Sequence, residues 1–185
     1  MQSPHRIIAW RQGFQDNRPR EEKPTGQEHQ AMEDENIFIS IDFDKGIFPR
    51  KYTCDGEDIS PLIHIDRVHS PYLAVIIDDW VGPSERFTHW IMWDINSRAS
   101  IPENIPKAET IANPFPAVQG TNDFGTIGYR GPCPPSGEIH TYYINVYGLD
   151  AKLDLPPGSK RDALDEAMKG HMKQYGGQAI ATYNR

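Results

Sequence analysis

Four polar side chains follow or open apolar segments, at points where side chains emerge beside loops. Asp79 ends the run that begins LAVII, and His89 opens the next apolar segment after a polar excursion. His140 follows a stretch rich in Gly and Pro, and Tyr142 lies two residues further on, on the same face of a strand. Strand ends beside loops commonly form binding sites, so these residues predict a small polar cavity.

The chemistry that such a cavity suits is the recognition of a small anion. Imidazoles donate hydrogen bonds and carry positive charge when protonated, and a phenol donates another hydrogen bond. Asp79 is placed to orient one imidazole and to raise its pKa, because a neighbouring carboxylate favours the charged ring. Trp90, Trp93 or Pro135 would supply apolar walls.

Other interpretations of the same residues stay open. Each side chain would also serve a structural role, by capping a strand or by satisfying a buried backbone group. Two histidines and an aspartate also suit a metal ion, although their spacing matches no metal motif and Tyr142 is a poor further ligand. Asp79 and the histidines would also act as general acid and base in hydrolysis, but no nucleophile and base stand at a recognised spacing.

Glycines and prolines crowd the stretch immediately before His140, residues 128–137, which we call the Gly/Pro corner. Glycine permits backbone angles that other residues avoid and proline fixes one angle, so the stretch predicts a rigid segment that aims His140. A plain tight turn between strands is the alternative. Cys133 lies in this corner and Cys54 in another turn-rich loop. We expect free thiols, because two cysteines make no disulfide framework and disulfides are rare in a reducing compartment.

Apolar alternation and β-branched runs predict a mostly β domain. The predicted strands cover residues 37–43, 72–78, 88–95, 141–149 and 179–183. The run over 72–78 is apolar without alternation, which predicts a strand covered on both faces.

One helix is predicted near the C-terminus. Ser159 is placed to cap it, with Asp162 at the capping-box spacing. Apolar residues then repeat at helical spacing from Leu164 to Met172, and the glycines at 176–177 end the pattern.

The composition indicates a globular protein with an acidic surface. The 185 residues are 37% hydrophobic and carry a formal net charge of -7, which argues against a surface for nucleic acid or for anionic membranes. No segment has the apolar length of a membrane span and the N-terminus shows no secretory signal, so we expect a cytoplasmic protein. Residues 1–36 are polar and unpatterned, which predicts a flexible or loosely docked extension before a folded domain over 37–185.

Several stretches carry a family resemblance, namely PRKYTCDGEDISP, AVIIDD, FTHWIMWDI and GYRGPCPPSGEIHTYYINVYGLD. Together they resemble the phosphatidylethanolamine-binding protein family, also called Raf-kinase-inhibitor-like proteins, and most closely its bacterial and archaeal branch. The resemblance covers about residues 37–185. It implies a β-sandwich with a C-terminal helix and few other short helices. It also implies one small pocket, which binds phosphate, phosphate-like anions and phospholipid head groups.

Carried onto this sequence, the resemblance implies a set of ligand-binding positions: Asp79, His89, His140, Tyr142, Pro83, Trp90 and Pro135. The chain departs from the family at residues 79–83, where DWVGP stands in place of the usual Asp-Pro-Asp-Ala-Pro. The lost carboxylate at Val81 would either ease the entry of an anion or loosen the pocket. Thr141 also replaces the usual basic residue after the last histidine.

We therefore expect a non-enzymatic binding protein that needs no cofactor or metal. Its ligand would be a phospholipid head group, a phosphorylated small molecule or a phosphorylated residue, and regulation of a kinase is one role that the resemblance implies. The alternative is a protein inhibitor or docking partner of a kinase or serine protease. That protein would act through an exposed loop, either at 96–127 or in the N-terminal extension.

Overall fold

Two antiparallel sheets and a helix make up the part of the chain that the computed structural model describes, residues 36–80, 85–174 and 176–185. In chain order, the elements are β1 (Phe38–Ser40), β2 (Ile63–Asp66), β3 (Tyr72–Trp80), β4 (Arg86–Asn96), β5 (Ser100–Ile101), β6 (Thr110–Ile111), β7 (Ala117–Gln119), β8 (Ile139–Leu149), α1 (Arg161–Met168), β9 (Met172–Gln174) and β10 (Gln178–Asn184). Short 3-10 turns at Asp44–Gly46 and Arg50–Tyr52 follow β1. The predicted extension over residues 1–36 lies almost wholly outside the described residues.

The order of the strands brings the predicted polar residues to one end of the larger sheet. The small sheet has the order β1-β2-β5, and the large sheet has the order β10-β8-β3-β4-β7-β6, with β9 also paired to β8. Near the end of β3, Asp79 lies opposite Phe87 of β4 and opposite Tyr142 of β8. The strands that carry the candidate residues are therefore direct neighbours.

The large sheet is covered on both faces, as the sequence of β3 predicted. Leu73, Val75 and Ile77 lie in the core that also holds the apolar side chains of the small sheet. Ala74 and Ile76 point to the other face and belong to a second apolar cluster with Leu164 and Met168 of α1. The prediction of a mostly β fold, a sandwich of sheets with a C-terminal helix, is confirmed.

The helix is shorter than predicted. It ends at Met168, and Met172 lies in β9, paired with Leu149. Pairing with β8 draws these residues out of the helix, although their apolar spacing continues the helical pattern. Ser159 does not cap the helix, because its hydroxyl donates to the Pro156 carbonyl at 2.6 Å.

Cys54 and Cys133 form a disulfide bond, so the expectation of free thiols is wrong. Their sulfurs meet because the two loops are held together by their backbones: the Cys54 amide donates to the Pro132 carbonyl at 3.1 Å. The sequence separation of 79 residues hides this contact from local patterns. An inference from the redox compartment alone therefore missed it.

Removing this disulfide should destabilise the fold. In the Cys54→Ser/Cys133→Ser variant, or after reduction, we expect the free energy of unfolding to fall by about 2–4 kcal/mol, because the bond closes a long loop in the unfolded chain. Urea unfolding with and without reductant measures the effect. The double variant, which has no bond to lose, is the control and should not respond to reductant. Equal unfolding midpoints for the oxidised wild type and the variant would contradict the expectation.

Candidate functional site

A cavity of about 140 Å³ lies where β3, β4 and β8 carry their polar residues. Its lining consists of Asp79, Phe87, His89, Phe124, Cys133, Pro134, Pro135, His140 and Tyr142. Five of the positions expected from the sequence therefore meet at one cavity: Asp79, His89, Pro135, His140 and Tyr142.

The remaining expected wall residues lie elsewhere. Trp90 is fully buried in the core and its Nε1 donates to Gln119 Oε1 at 2.7 Å, so it does not line the cavity as we expected. Trp93 packs on the opposite face of the sheet, in the cluster with α1. Pro83 and Val81 lie outside the described residues.

A β-bulge in β4 explains how the adjacent residues His89 and Trp90 come to face the same side of the sheet. Ile77 of β3 lies opposite Trp90 and Asp78 lies opposite Thr88, so His89 is the extra residue between these pairs. A bulge re-aims the side chain of the inserted residue. His89 consequently reaches the cavity on the same face on which Trp90 packs into the core.

Asp79 and His140 form a hydrogen-bonded pair at the cavity. His140 Nδ1 lies 2.5 Å from Asp79 Oδ2, and His140 Nε2 lies 3.1 Å from Glu138 Oε2. Partial burial lowers the pKa of His140, but the hydrogen bonds to Asp79 and Glu138 outweigh it, so the pKa is raised above its ordinary value. The ring therefore keeps its positive charge to higher pH than a free histidine.

The pKa of His89 is shifted in the opposite direction to that of His140. Its ring is only 2% exposed, and this burial lowers its pKa despite the carbonyls of Arg130 and Gly131 and the charge of Asp79. His89 Nδ1 lies 2.7 Å from the Arg130 carbonyl oxygen, and because a carbonyl can only accept, Nδ1 must donate. The Nε2 of the neutral ring is then a hydrogen-bond acceptor.

Tyr142 completes the polar lining. Burial and then the charge of Asp79 raise the pKa of its phenol, so the hydroxyl stays protonated and remains a donor. Its ring meets His89 edge-on, with centroids 5.1 Å apart. The cavity thus combines an imidazole with a raised pKa, an imidazole with a lowered pKa, a phenol and a carboxylate.

The Gly/Pro corner holds His89 as well as forming a wall. The Arg130 amide donates to the His89 carbonyl at 3.0 Å, which reciprocates the bond from the His89 ring to the Arg130 carbonyl. The Gly131 amide donates to Asp58 Oδ1 at 2.7 Å. A Cβ on Gly131 would lie 2.0 Å from the Tyr52 carbonyl oxygen, so only glycine fits this approach. The sequence predicted that the corner is rigid, but it did not predict the two hydrogen bonds between Arg130 and His89.

Of the paired aspartates that end β3, only Asp79 lines the cavity. Asp78 points to the opposite face, where it accepts from Thr88 Oγ1 at 2.9 Å and from Arg161 Nη1 at 2.6 Å. Strand alternation separates the two carboxylates in this way. Asp78 therefore ties α1 to the strands that carry the site.

Five residues of the site were not among the predicted positions. Phe87, Phe124, Cys133 and Pro134 line the cavity, and Glu138 contacts His140. Glu138 lies two residues before His140, a spacing that places both on one strand face and would have indicated the contact. Phe124 comes from a loop, and nothing in the local sequence marks it.

The metal interpretation gains no support from the geometry. Within 36–80, 85–174 and 176–185, no group of His, Cys, Asp and Glu side chains is arranged to hold a metal ion. In the same part of the chain, no helix has the length and apolar character of a bilayer span.

Comparisons of the sequence with known proteins match one protein family and a set of archaeal relatives. The family model described as phosphatidylethanolamine-binding protein matches residues 40–183. A UPF0098 protein of Pyrococcus horikoshii is 44% identical over 165 residues, covering 86% of this chain and 80% of that protein. A UPF0098 protein of Methanothermobacter thermautotrophicus is 47% identical over 132 residues, covering 70% of this chain and 85% of that protein.

Solved structures share the fold. The crystal structure of a phosphatidylethanolamine-binding protein homolog from Chlamydia trachomatis matches with a TM-score of 0.70 and 32% identity, covering 82% of this chain and 99% of that chain. The structure of YbcL from E. coli, a member of the mammalian PEBP family by its description, matches with a TM-score of 0.72 over 81% of this chain and 99% of that chain. Its identity is 22%, so it supports the fold alone.

The raised pKa of His140 can be tested through its exposed partner. In Glu138→Gln, we expect the pKa of His140 to fall, because the amide removes a charge that stabilises the imidazolium. An NMR titration of the imidazole resonances measures the pKa. Glu166→Gln, a change at an exposed position of α1, is the control and should leave the titration unchanged. An unaltered His140 pKa in Glu138→Gln would show that the glutamate does not act on the ring.

Proposed function

We propose that this chain, which belongs to the phosphatidylethanolamine-binding protein family, is a non-enzymatic binding protein that takes a phosphate-type anion in its cavity. The observation that carries the proposal is the convergence of His140, His89 and Tyr142 beside Asp79 on one cavity of about 140 Å³. A cavity of this size is small beside typical ligand pockets, so it would enclose a phosphate group and its nearest substituents and not a whole phospholipid.

The ring of His140, when protonated, can attract an anion even though the whole chain is acidic and Asp79 and Glu138 lie beside it. The pKa of His140 is raised, and its Nε2 faces Glu138, whose side chain is 57% exposed. Glu138 therefore lies where an oxygen of a bound anion would accept a hydrogen bond. Because the side chain of Glu138 is largely exposed, it can rotate away from His140 into the solvent when an anion takes its place.

The lining suits binding better than catalysis. The sulfur of Cys133 is held in the disulfide, and the raised pKa of Tyr142 keeps its phenol protonated. The described lining therefore supplies groups that hold or orient protons, but it supplies no activated nucleophile. Hydrolysis at Asp79 and the histidines is accordingly not the function that we propose.

A phospholipid head group, a phosphorylated small molecule and a phosphorylated side chain present the same chemistry to this cavity. Regulation of a kinase would follow if the bound group were a phosphorylated residue of that kinase or of its partner. The alternative of a docking loop at 96–127 is less favoured, because Ile101, Ile105 and Phe115 bury their side chains and hold the segment against the core.

Calorimetric titration with inorganic phosphate tests the proposal. At pH 6 we expect His140→Ala to weaken binding by about tenfold or more, since it removes a charged hydrogen-bond donor. Affinity for the wild type should decrease as the pH rises through the raised pKa of His140, because the neutral ring no longer attracts the anion.

The control is His171→Ala. His171 is a partly exposed histidine that pairs with Asp150 outside the cavity, so its removal should leave phosphate affinity unchanged. Circular dichroism establishes that each variant is folded. If His140→Ala and His89→Ala both bind phosphate as tightly as the wild type, the cavity is not the anion site.

A further inference from the structure

We propose that residues 7–10 of the N-terminal extension, the sequence IIAW, dock on an exposed apolar face of the large sheet in the same chain. We call it the outer face, and it carries Ile47, Trp80, Ile139 and Ile180. It is separate from the cavity, because it lies on the opposite side of β3 and β8. Docking there would cover apolar side chains that the described domain leaves in water.

Alternation along β3 and β8 places the first half of the outer face. Asp79 points into the cavity, so the next residue, Trp80, points to the other side of the sheet. In the same way, Ile139 points away from the cavity that His140 lines. Trp80 is 48% exposed and Ile139 is 67% exposed.

Two isoleucines extend the outer face across β10. Ile180 lies opposite Tyr143, which has the same orientation as Ile139 along β8. Ile47 is bridged to Thr182, two residues after Ile180. Both isoleucines are about half exposed. Of the seven exposed large apolar side chains among the described residues, four therefore lie on this one face.

Helix α1 covers only a neighbouring part of this side of the sheet. Ala74 and Ile76 of β3 pack with the apolar side of α1. The first residue of the helix, Arg161, pairs with Asp78 at 2.6 Å, two residues before Trp80. Beyond this ion pair the outer face is exposed. Contiguous exposed apolar side chains of this kind mark an interaction site.

The chain enters the described domain beside the outer face. A Cβ on Gly177 would lie 2.7 Å from the carbonyl oxygen of Ile37, so the start of the domain lies directly against Gly177. Strand β10 begins at the next residue, and Ile180 follows two residues later, about 7 Å along the strand. Residues 1–35 therefore join the domain next to the face that we assign to them.

The composition of the segment fits the outer face. Residues 7–10 are the longest apolar run of the extension, and they include a tryptophan and two isoleucines. The flanking residues Arg6 and Arg11 are positive, whereas the whole chain carries a formal net charge of -7. Apolar burial and the overall charge thus both favour docking of this segment on the domain.

The intervening chain is long enough to allow the docking. A flexible chain of the length of residues 11–36 has an end-to-end distance of about 25–30 Å. The outer face spans about 14 Å across the strands from Trp80 to Ile47. Such a tether also gives a roughly millimolar effective concentration, so the segment outcompetes a second copy of the chain in a dilute sample.

Paramagnetic relaxation enhancement on the full chain tests the docking. A nitroxide attached at Ser3→Cys labels the extension specifically, because Cys54 and Cys133 are bonded to each other. We expect the amide signals of Tyr143 and Ile180 to lose most of their intensity. The signals of β6 and β7, at the opposite edge of the large sheet, should keep theirs.

Charged substitutions separate specific docking from chance proximity. Trp10→Asp in the segment and Ile180→Asp on the outer face should each restore the lost signals, because burying a carboxylate against apolar side chains is costly. The matched controls are Gln27→Asp in the extension and Met172→Asp at an exposed position of β9, near the far end of β8. Both controls should keep the loss of signal. Circular dichroism establishes that each variant is folded.

A mixed sample identifies the occupant of the outer face. Spin-labelled chains without isotope are mixed with isotope-labelled chains without the spin label, and docking within one chain should leave the amide signals unchanged. Loss of signal in this mixture would show that a second copy supplies the segment and would overturn the inference. Full intensity at Ile180 in the spin-labelled chain, or a loss that survives Trp10→Asp, would overturn it as well. These outcomes are independent of phosphate binding, which is measured at the cavity.

Discussion

The hydrogen bond between Asp79 and His140 is the interaction on which the rest of the site depends. It joins a carboxylate that is 3% exposed to an imidazole on the neighbouring strand at 2.5 Å. A buried carboxylate is costly without a partner, and the imidazolium offsets that cost. The pair exists because Asp79 lies opposite Tyr142 in the β3–β8 register, which makes His140 its diagonal neighbour. A slip of one residue would turn one member of the pair to the opposite face.

The surroundings of the two histidines shift their pKa values in opposite directions. His140 lies near the rim between two carboxylates, whereas His89 is enclosed by aromatic rings and donates to a backbone carbonyl. The bulge in β4 and the Gly/Pro corner enforce the position of His89, and the disulfide at Cys133 holds that corner against the loop of Cys54. The bulge, the corner and the disulfide therefore position His89, while the sheet register positions His140.

Strand patterns predicted much of this arrangement because they depend on local sequence. The alternation in β8 placed His140 and Tyr142 on one face, and the apolar run over 72–78 indicated a strand covered on both faces, which in the structure continues past Asp79 to Trp80. The redox compartment was a poorer guide, since the Cys54–Cys133 contact joins residues 79 positions apart. Such contacts are set by the packing of the whole domain.

The bulge shows where periodicity fails. Simple alternation would have placed His89 and Trp90 on opposite faces of the strand, but the bulge places both on one face, with His89 in the cavity and Trp90 in the core. The prediction of where the helix ends was wrong for a related reason. The residues around Met172 satisfy a helical pattern, yet they pair with β8. In both cases tertiary pairing outweighed the local pattern.

A crystal structure of the protein grown with saturating inorganic phosphate tests the anion site most directly. The predicted result is a phosphate in the cavity, with one oxygen within hydrogen-bond distance of His140 Nε2 and the side chain of Glu138 rotated into the solvent. Phosphate bound only elsewhere on the surface, with Glu138 still on His140, would contradict the assignment.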